Sequence, residues 1–262
     1  MKSKKQLCLV LISFLLSSMA YADLLPWSTI EKNFKTQNLN SKSLSHVKCF
    51  FNKYEHTNFQ KTISQAPGTD NRCGGNPIIK LDSKRIFAIV DYTAPSSERR
   101  MYIVDRQTGE ISKLAAAHGR YNAKMFNTHL SPNKNSVLNA RFFSNENGSN
   151  ASASGFYVSG TEYVGKFGRS LVLHGLEEGI NDNTCERSIV LHPHSLVTKD
   201  MAAIMSSGCI MVSKSLINNA INVLEGSNNA SSEEEKSGGV IFIYGPRESK
   251  WATDTCDGNF KI

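Results

Sequence analysis

Long hydrophobic runs are almost absent from these 262 residues. The one apolar stretch, from Leu7 to Leu16, falls well short of the ~20 residues that span a bilayer as a helix, and nothing later is comparable. No membrane-spanning helix is therefore expected in the folded protein. Cysteine is scarce as well, with six in the chain, none in C-x-x-C spacing and none at zinc-finger distance from a histidine. A structural zinc site is not expected. Charge of one sign is also lacking, since 30 Lys and Arg stand against 23 Asp and Glu. With no basic stripe interleaved with aromatics, nucleic acid is not an expected partner. No internal repeat is present. The remaining composition, 40% hydrophobic and 20% charged, is that of an ordinary globular protein with room for one sizeable core.

The first segment with a message is the N-terminus. Lys2, Lys4 and Lys5 precede the apolar run, and small residues at 20–22 (AYA) offer a signal-peptidase site. The pattern predicts a secretory signal over residues 1–22 and a mature protein that begins at Asp23, located in the periplasm or cell envelope. Cys8 leaves with the signal. The mature chain then carries 27 basic and 23 acidic residues, a mild balance compatible with an anionic polymer such as a cell wall. Five cysteines remain in an oxidising compartment, which predicts two disulfides and one free thiol. The expected pairs are Cys49–Cys73, close in the chain, and Cys185–Cys256, which would tie down the C-terminal tail. Cys209 is the thiol left over.

Residues 23–76 are polar, with one amphipathic helix in which Leu44, Val47, Phe51 and Tyr54 recur at steps of three and four. They read as a helical N-terminal extension, followed by a main domain over 77–262. Within that domain the period shifts to short runs rich in branched and aromatic residues: RIFAIVDY (85–92), RMYIVD (100–105), GFYVSG (155–160), SLVLHG (170–175), SIVLHPH (188–194) and VIFIYG (240–245). Gly- and Asn-containing turns separate them, as expected of a hairpin-rich sheet. A helix is expected after Ser213, with Leu216, Ile217, Ala220, Ile221 and Leu224 on one face and Gly226 at its end, and a short one over TKDMAAIM (198–205). The expected fold is mainly β with a few packed helices.

The chemistry concentrates in SSGCIMVS (206–213). A thiol nucleophile needs a base to ionise it and donors to hold the oxyanion that its attack creates. An unperturbed thiol, with a pKa of ~8.5, is only a few per cent thiolate at pH 7, so a neighbouring imidazole is the usual remedy. His174, His192 and His194 are the nearest candidates, with His118 and His129 further off. Strand alternation places Ser188, Val190 and His192 on one face, and sixteen residues separate His192 from Cys209. Gly208 permits a sharp turn and close approach of a carbonyl, and the backbone N–H groups around Ser207, Gly208 and Cys209 are candidates for an oxyanion hole. On spacing alone a structural role for these residues is the commoner outcome.

The pattern His192, sixteen residues, Ser-Ser-Gly-Cys-Ile resembles the signature of the L,D-transpeptidases, the YkuD family of peptidoglycan cross-linking enzymes. DYTAPSSERRMYIVDRQTGE, AHGR, FFSNENGSNASASGFYVSG, YVGKFGRSLVLHGLEEGINDN and ERSIVLH resemble, in order and spacing, the murein branch called YkuD-like 2. The resemblance runs from about residue 85 to 245. It implies a β-sheet or flattened-barrel catalytic domain, no metal or organic cofactor, and peptidoglycan stem peptides as partners. It implies Cys209 as nucleophile and His192 as base, with a backbone carbonyl orienting the imidazole. Ser206 and Gly208 match the motif, and Arg187 matches an arginine suited to a stem-peptide carboxylate. His174 is expected to line the site or to serve structure, and His118 to sit in a turn. Pro193 stands where a glycine usually follows the histidine, and Met211 where many relatives carry arginine. The implied reaction is a 3-3 cross-link through a Cys209 acyl-enzyme. An L,D-carboxypeptidase or wall amidase using the same pair, and a wall-binding protein with a degenerate site, are the alternatives.

Overall fold

A computed structural model describes residues 24–54, 58–60, 78–80, 85–122, 131–225 and 235–260. The signal segment, Cys73, His129, Gly226 and most of the Ser/Glu-rich stretch 227–238 lie outside these.

Two helices come first, α1 (Trp27–Thr36) and α2 (Ser41–Tyr54). The second is the amphipathic helix expected from its spacing, and it buries Leu44, Val47, Phe51 and Tyr54. The first was not legible, because only Ile30 and Phe34 of its ten residues are buried. Among the described residues eleven strands follow. Three short ones, β1 (Asn58–Gln60), β2 (Ile78–Lys80) and β10 (Glu235–Ser237), form a small sheet.

The main sheet has eight strands: β3 (Ile86–Asp91), β4 (Arg99–Asp105), β5 (Ile111–Ala115), β6 (Gly155–Gly165), β7 (Gly168–Gly175), β8 (Val190–His194), β9 (Ile210–Ser213) and β11 (Val240–Tyr244). Their order is β5-β4-β3-β11-β6-β7-β8-β9. The pairs β3–β11 and β8–β9 are parallel and the others antiparallel. Just past β5, Ala117 bridges to Met211 on β9, with Ala117 N–H donating to the Met211 carbonyl at 2.8 Å. That contact brings the two edge strands together, so the sheet is nearly closed, a flattened barrel as expected.

Strand alternation divides the core in two. Phe87 and Ile89 of β3, with Phe156, Val158, Phe242 and Tyr244, pack against α1 and α2. Ala88 and Val90, with Leu171, Leu191, Ile210 and Ile241, pack inside against helix α3 (Ile217–Leu224). Central strands buried on both faces read as unbroken apolar runs, which is why IFAIV and VIFIY stand out in the sequence.

Several expectations are corrected. Helix α3 starts at Ile217 with Leu216 as N-cap and no side-chain cap; the Ser213 hydroxyl meets Ser215 instead. The segment 198–205 is not helical. Its Ala202 and Ala203 amides donate to Ser96 and Leu196 carbonyls at 2.8 and 3.0 Å, so partners outside the segment take the amides that a helix would use. Ser188 does not belong to the strand: its φ is +55°, so the chain turns there and alternation begins at Val190. The expected Cys185–Cys256 bridge is also overturned. Cys185 is disulfide-bonded, but Cys49, Cys209 and Cys256 are free thiols, so the partner of Cys185 lies outside the described residues. Cys49 neighbours Cys256 and, after burial, contributes to raising its pKa. The Cys49–Cys73 pairing fails with it, since Cys49 is free. Helix α2 lies so close to the tail that His46 Nδ1 meets the Thr255 carbonyl at 2.6 Å.

Candidate active site

The parallel pair β8–β9 sets the site. Its register aligns His192 with Met211 and Leu191 with Ile210. Cys209, two residues before Met211, is thereby carried to the same face of the sheet as His192, while Leu191 and Ile210 point into the core. His192 and Cys209 both line an open cavity of about 1050 Å³.

The loop before Cys209 is held from three sides. Ser206 N–H donates to the His118 carbonyl at 2.7 Å, and the Ser206 hydroxyl accepts from Gly208 N–H at 3.0 Å and donates to the Cys209 carbonyl at 2.7 Å. Ser152 donates to the Gly208 carbonyl at 3.0 Å. Gly208 has φ +121°, and a Cβ there would stand 2.5 Å from Ile189 Cδ1 and 2.8 Å from the Ala151 carbonyl oxygen. Only glycine fits. Ser207 is exposed and lines the cavity.

The Cys209 thiol points toward the Ser188 carbonyl at 3.7 Å. Burial pushes its pKa up, against backbone hydrogen bonding at Val190 and the nearby positive charges of Arg187 and Lys166. His192 is buried, with Nδ1 3.0 Å from the Pro193 carbonyl oxygen. In the neutral tautomer Nδ1–H donates there and Nε2 keeps its lone pair for a proton. Burial lowers the imidazole pKa below its ordinary value, opposed by that hydrogen bond and assisted by His194 and Lys166. The group that fixes Nδ1 is a backbone carbonyl, that of Pro193.

The other candidate residues are placed as follows. Arg187 borders the cavity, but its guanidinium donates to the Ser144 and Ala151 carbonyls at 2.7 and 2.6 Å and to Ser149 Oγ at 3.1 Å. It fastens the 144–151 loop that walls Gly208. Ser206 is committed to the motif loop, as described. His174 lies buried in β7, with Nε2 close to Gly160, and does not line the cavity. His118 is buried between Arg100, at 2.6 Å from Nδ1, and the Ser136 carbonyl, at 3.0 Å from Nε2; burial and the Arg100 charge lower its pKa to about 4.

Sequence reasoning did not single out Arg120, Lys166 or Phe167, all of which line the cavity. Arg120 Nε donates to the Ser206 carbonyl at 3.2 Å, which sets its guanidinium beside the motif loop. Phe167 stacks on the His192 ring, with centroids 4.3 Å apart and planes at 18°. The segments AHGR and YVGKFGRSLVLHG contain these residues, so the signal was present without a way to aim it. Among the described residues no Asp or Glu lines the cavity, and the charged side chains that do are Arg120, Arg187 and Lys166.

A nearly closed β-sheet with a thiol and an imidazole facing one open, cation-lined cleft defines the class of domain. The comparisons place it. The family model described as the L,D-transpeptidase catalytic domain matches residues 78–230, and the chain belongs to that family. Among solved structures, it is similar to an L,D-transpeptidase from Mycobacterium smegmatis (10% identity, covering 61% of this chain and 58% of that chain, TM-score 0.33). It is similar also to L,D-transpeptidase 1 of Mycobacterium tuberculosis (9%, 62% and 62%, TM-score 0.30). A third is the helical cell shape determining protein Pgp2 of Campylobacter jejuni (13%, 65% and 52%, TM-score 0.36). This chain spans less than two thirds of each of them. No curated protein matches it.

Proposed function

We propose that this protein is a peptidoglycan L,D-transpeptidase acting in the cell envelope, which forms 3-3 cross-links through an acyl-enzyme on Cys209. The observation that carries this reading is the shared face of Cys209 and His192, with the imidazole Nδ1 pinned to the Pro193 carbonyl. Both groups rest in their neutral forms, because burial lowers the pKa of His192 and raises that of Cys209. The thiol is then activated by proton transfer as it attacks, rather than as a preformed ion pair.

The Cys209 sulfur attacks the carbonyl at the L-centre of meso-diaminopimelate in a tetrapeptide stem, and its proton passes to His192 Nε2. The tetrahedral oxyanion takes donors from the motif loop. The Gly208 N–H is spent on Ser206, which leaves that role to the neighbouring Ser207 and Cys209 amides. When the C–N bond breaks, His192 returns the proton to the departing D-alanine amine. The side-chain amine of a second stem then attacks the thioester, gives its proton to the same imidazole, and restores the thiol. Stem peptides are anionic, and a cleft charged by Arg120, Arg187 and Lys166 suits them. Arg120 replaces Arg187 as the residue assigned to a carboxylate, since both Arg187 Nη groups are held by short bonds to the 144–151 loop, whereas Arg120 makes only longer ones, at 3.2 and 3.4 Å, to the Ser206 and Met205 carbonyls.

Incubating the mature protein with sacculi and reading the muropeptides by mass tests this. New 3-3 dimers are the expected product. Tripeptides alone would make water the acceptor and the protein an L,D-carboxypeptidase, and intact tetrapeptides would make it a wall-binding protein.

A further inference from the structure

The strands β6 and β7 meet in a two-residue turn, Lys166-Phe167, closed by the Gly165–Gly168 pair. That turn leans on the end of β8. Gly168, at φ +90°, lies so near Pro193 that an added Cβ would stand 3.7 Å from its ring, and the Phe167 ring lies flat on His192. Phe167 is 44% exposed, whereas the imidazole beneath it is 2% exposed. Single exposed aromatic side chains are common and carry no message by themselves. The stack does.

A single hydrogen bond from Nδ1 to the Pro193 carbonyl fixes one direction in the imidazole plane and leaves the ring free to swing about that axis. A flat aromatic surface on one face removes the remaining freedom. We propose that Phe167 is a positioning residue: together with the Pro193 carbonyl it fixes the plane of the His192 imidazole, so that Nε2 stays aimed for proton exchange with Cys209. This inference rests on the reading of His192 as the base. The same ring excludes water from one face of the imidazole. The titratable groups around it are Lys166 on the hairpin, His194 on the same strand, and Arg187 and Cys209 beyond. None is a carboxylate that would favour imidazolium. Lys166 Nζ lies 4.8 Å from the Phe167 ring centre, so the ring already has a cation over it.

The test compares Phe167→Ala, Phe167→Leu and Phe167→Tyr in the whole mature protein. The His192 ring is titrated by NMR, and turnover is followed on a tetrapeptide donor. Phe167→Ala is expected to move the His192 titration up toward 6.5, carry the acid limb of the rate with it, and lower kcat by about tenfold or more with KM nearly unchanged. Phe167→Tyr restores both. Phe167→Leu, bulky but not flat, restores the titration and not kcat. An unchanged titration in Phe167→Ala, an effect confined to KM, or full kcat in Phe167→Leu would each overturn the proposal. The titration needs no turnover. If wild type makes no product while Phe167→Ala still shifts it, the transpeptidase reading fails and the clamp on the imidazole stands.

Discussion

Burial keeps His192 unprotonated below its ordinary pH range, and this fixes how the site should respond to acid. The proposed mechanism uses neutral imidazole as base, and the His192 pKa is lowered, so it predicts an acid limb of kcat/KM below pH 6.5 and activity that persists through mildly acidic conditions. Replacement of the residue itself is more drastic. His192→Ala should cut turnover by about two or more orders of magnitude, the scale of a lost general base. His174→Ala should cost much less turnover, since that side chain is buried in β7 away from the cavity. Steady-state rates of the two variants over a pH series check both statements, and a reversed order would move the base to His174.

The segment LEEGINDN, which joins β7 to the turn before β8, was legible as a motif but not as a device. Its Glu177 accepts from Phe156 N–H at 2.9 Å and pairs with Arg247 at 2.8 Å, and the same guanidinium meets Glu248. Asn181 donates to the Ser154 and Phe156 carbonyls, both at 3.0 Å. Two carboxylates with no solvent exposure thus depend on one cation. Arg247→Met should destabilise the protein by about 3–5 kcal/mol, because it leaves buried charge uncompensated. Urea unfolding measures it, and a loss under 1 kcal/mol would show that the cluster is dispensable. At this scale the sequence spoke clearly where periodicity alone decides, as in β3, β4, β11 and α2. It was silent where tertiary hydrogen bonds decide. The stretch 198–205 lost a helix to loop carbonyls, Ser188 left its strand for a left-handed turn, and Arg187 turned from the cleft to the backbone of the 144–151 loop. Cys209 and His192 stood out through the family resemblance and not through spacing, and the β8–β9 register sets them on one face. Phe167 and Arg120 did not, because a hairpin tip and a distant loop reach the cleft only once the sheet curls.

Across the whole molecule, α1 and α2 share one core with the outer face of the sheet, and the C-terminal tail lies against α2 through His46 and Thr255. The adjacent thiols of Cys49 and Cys256 complete that contact, the latter pushed up to about 12 by burial. With an external disulfide such as oxidised glutathione as electron acceptor, the two thiols should lose their protons and join, and the closed loop is worth about 5 kcal/mol in the chain-entropy model. Non-reducing peptide mapping should then find Cys49 joined to Cys256; recovery of both as alkylated thiols after oxidation would refute the pairing. That bridge, with the one at Cys185, would leave Cys209 as the reactive thiol of the described residues. The central claim is that this thiol accepts an acyl group, and the most direct measurement is the mass of the mature protein after exposure to a carbapenem, an electrophilic β-lactam. One adduct on wild type, mapped to Cys209 and absent from Cys209→Ser, is the predicted result; equal acylation of Cys209→Ser would contradict the account.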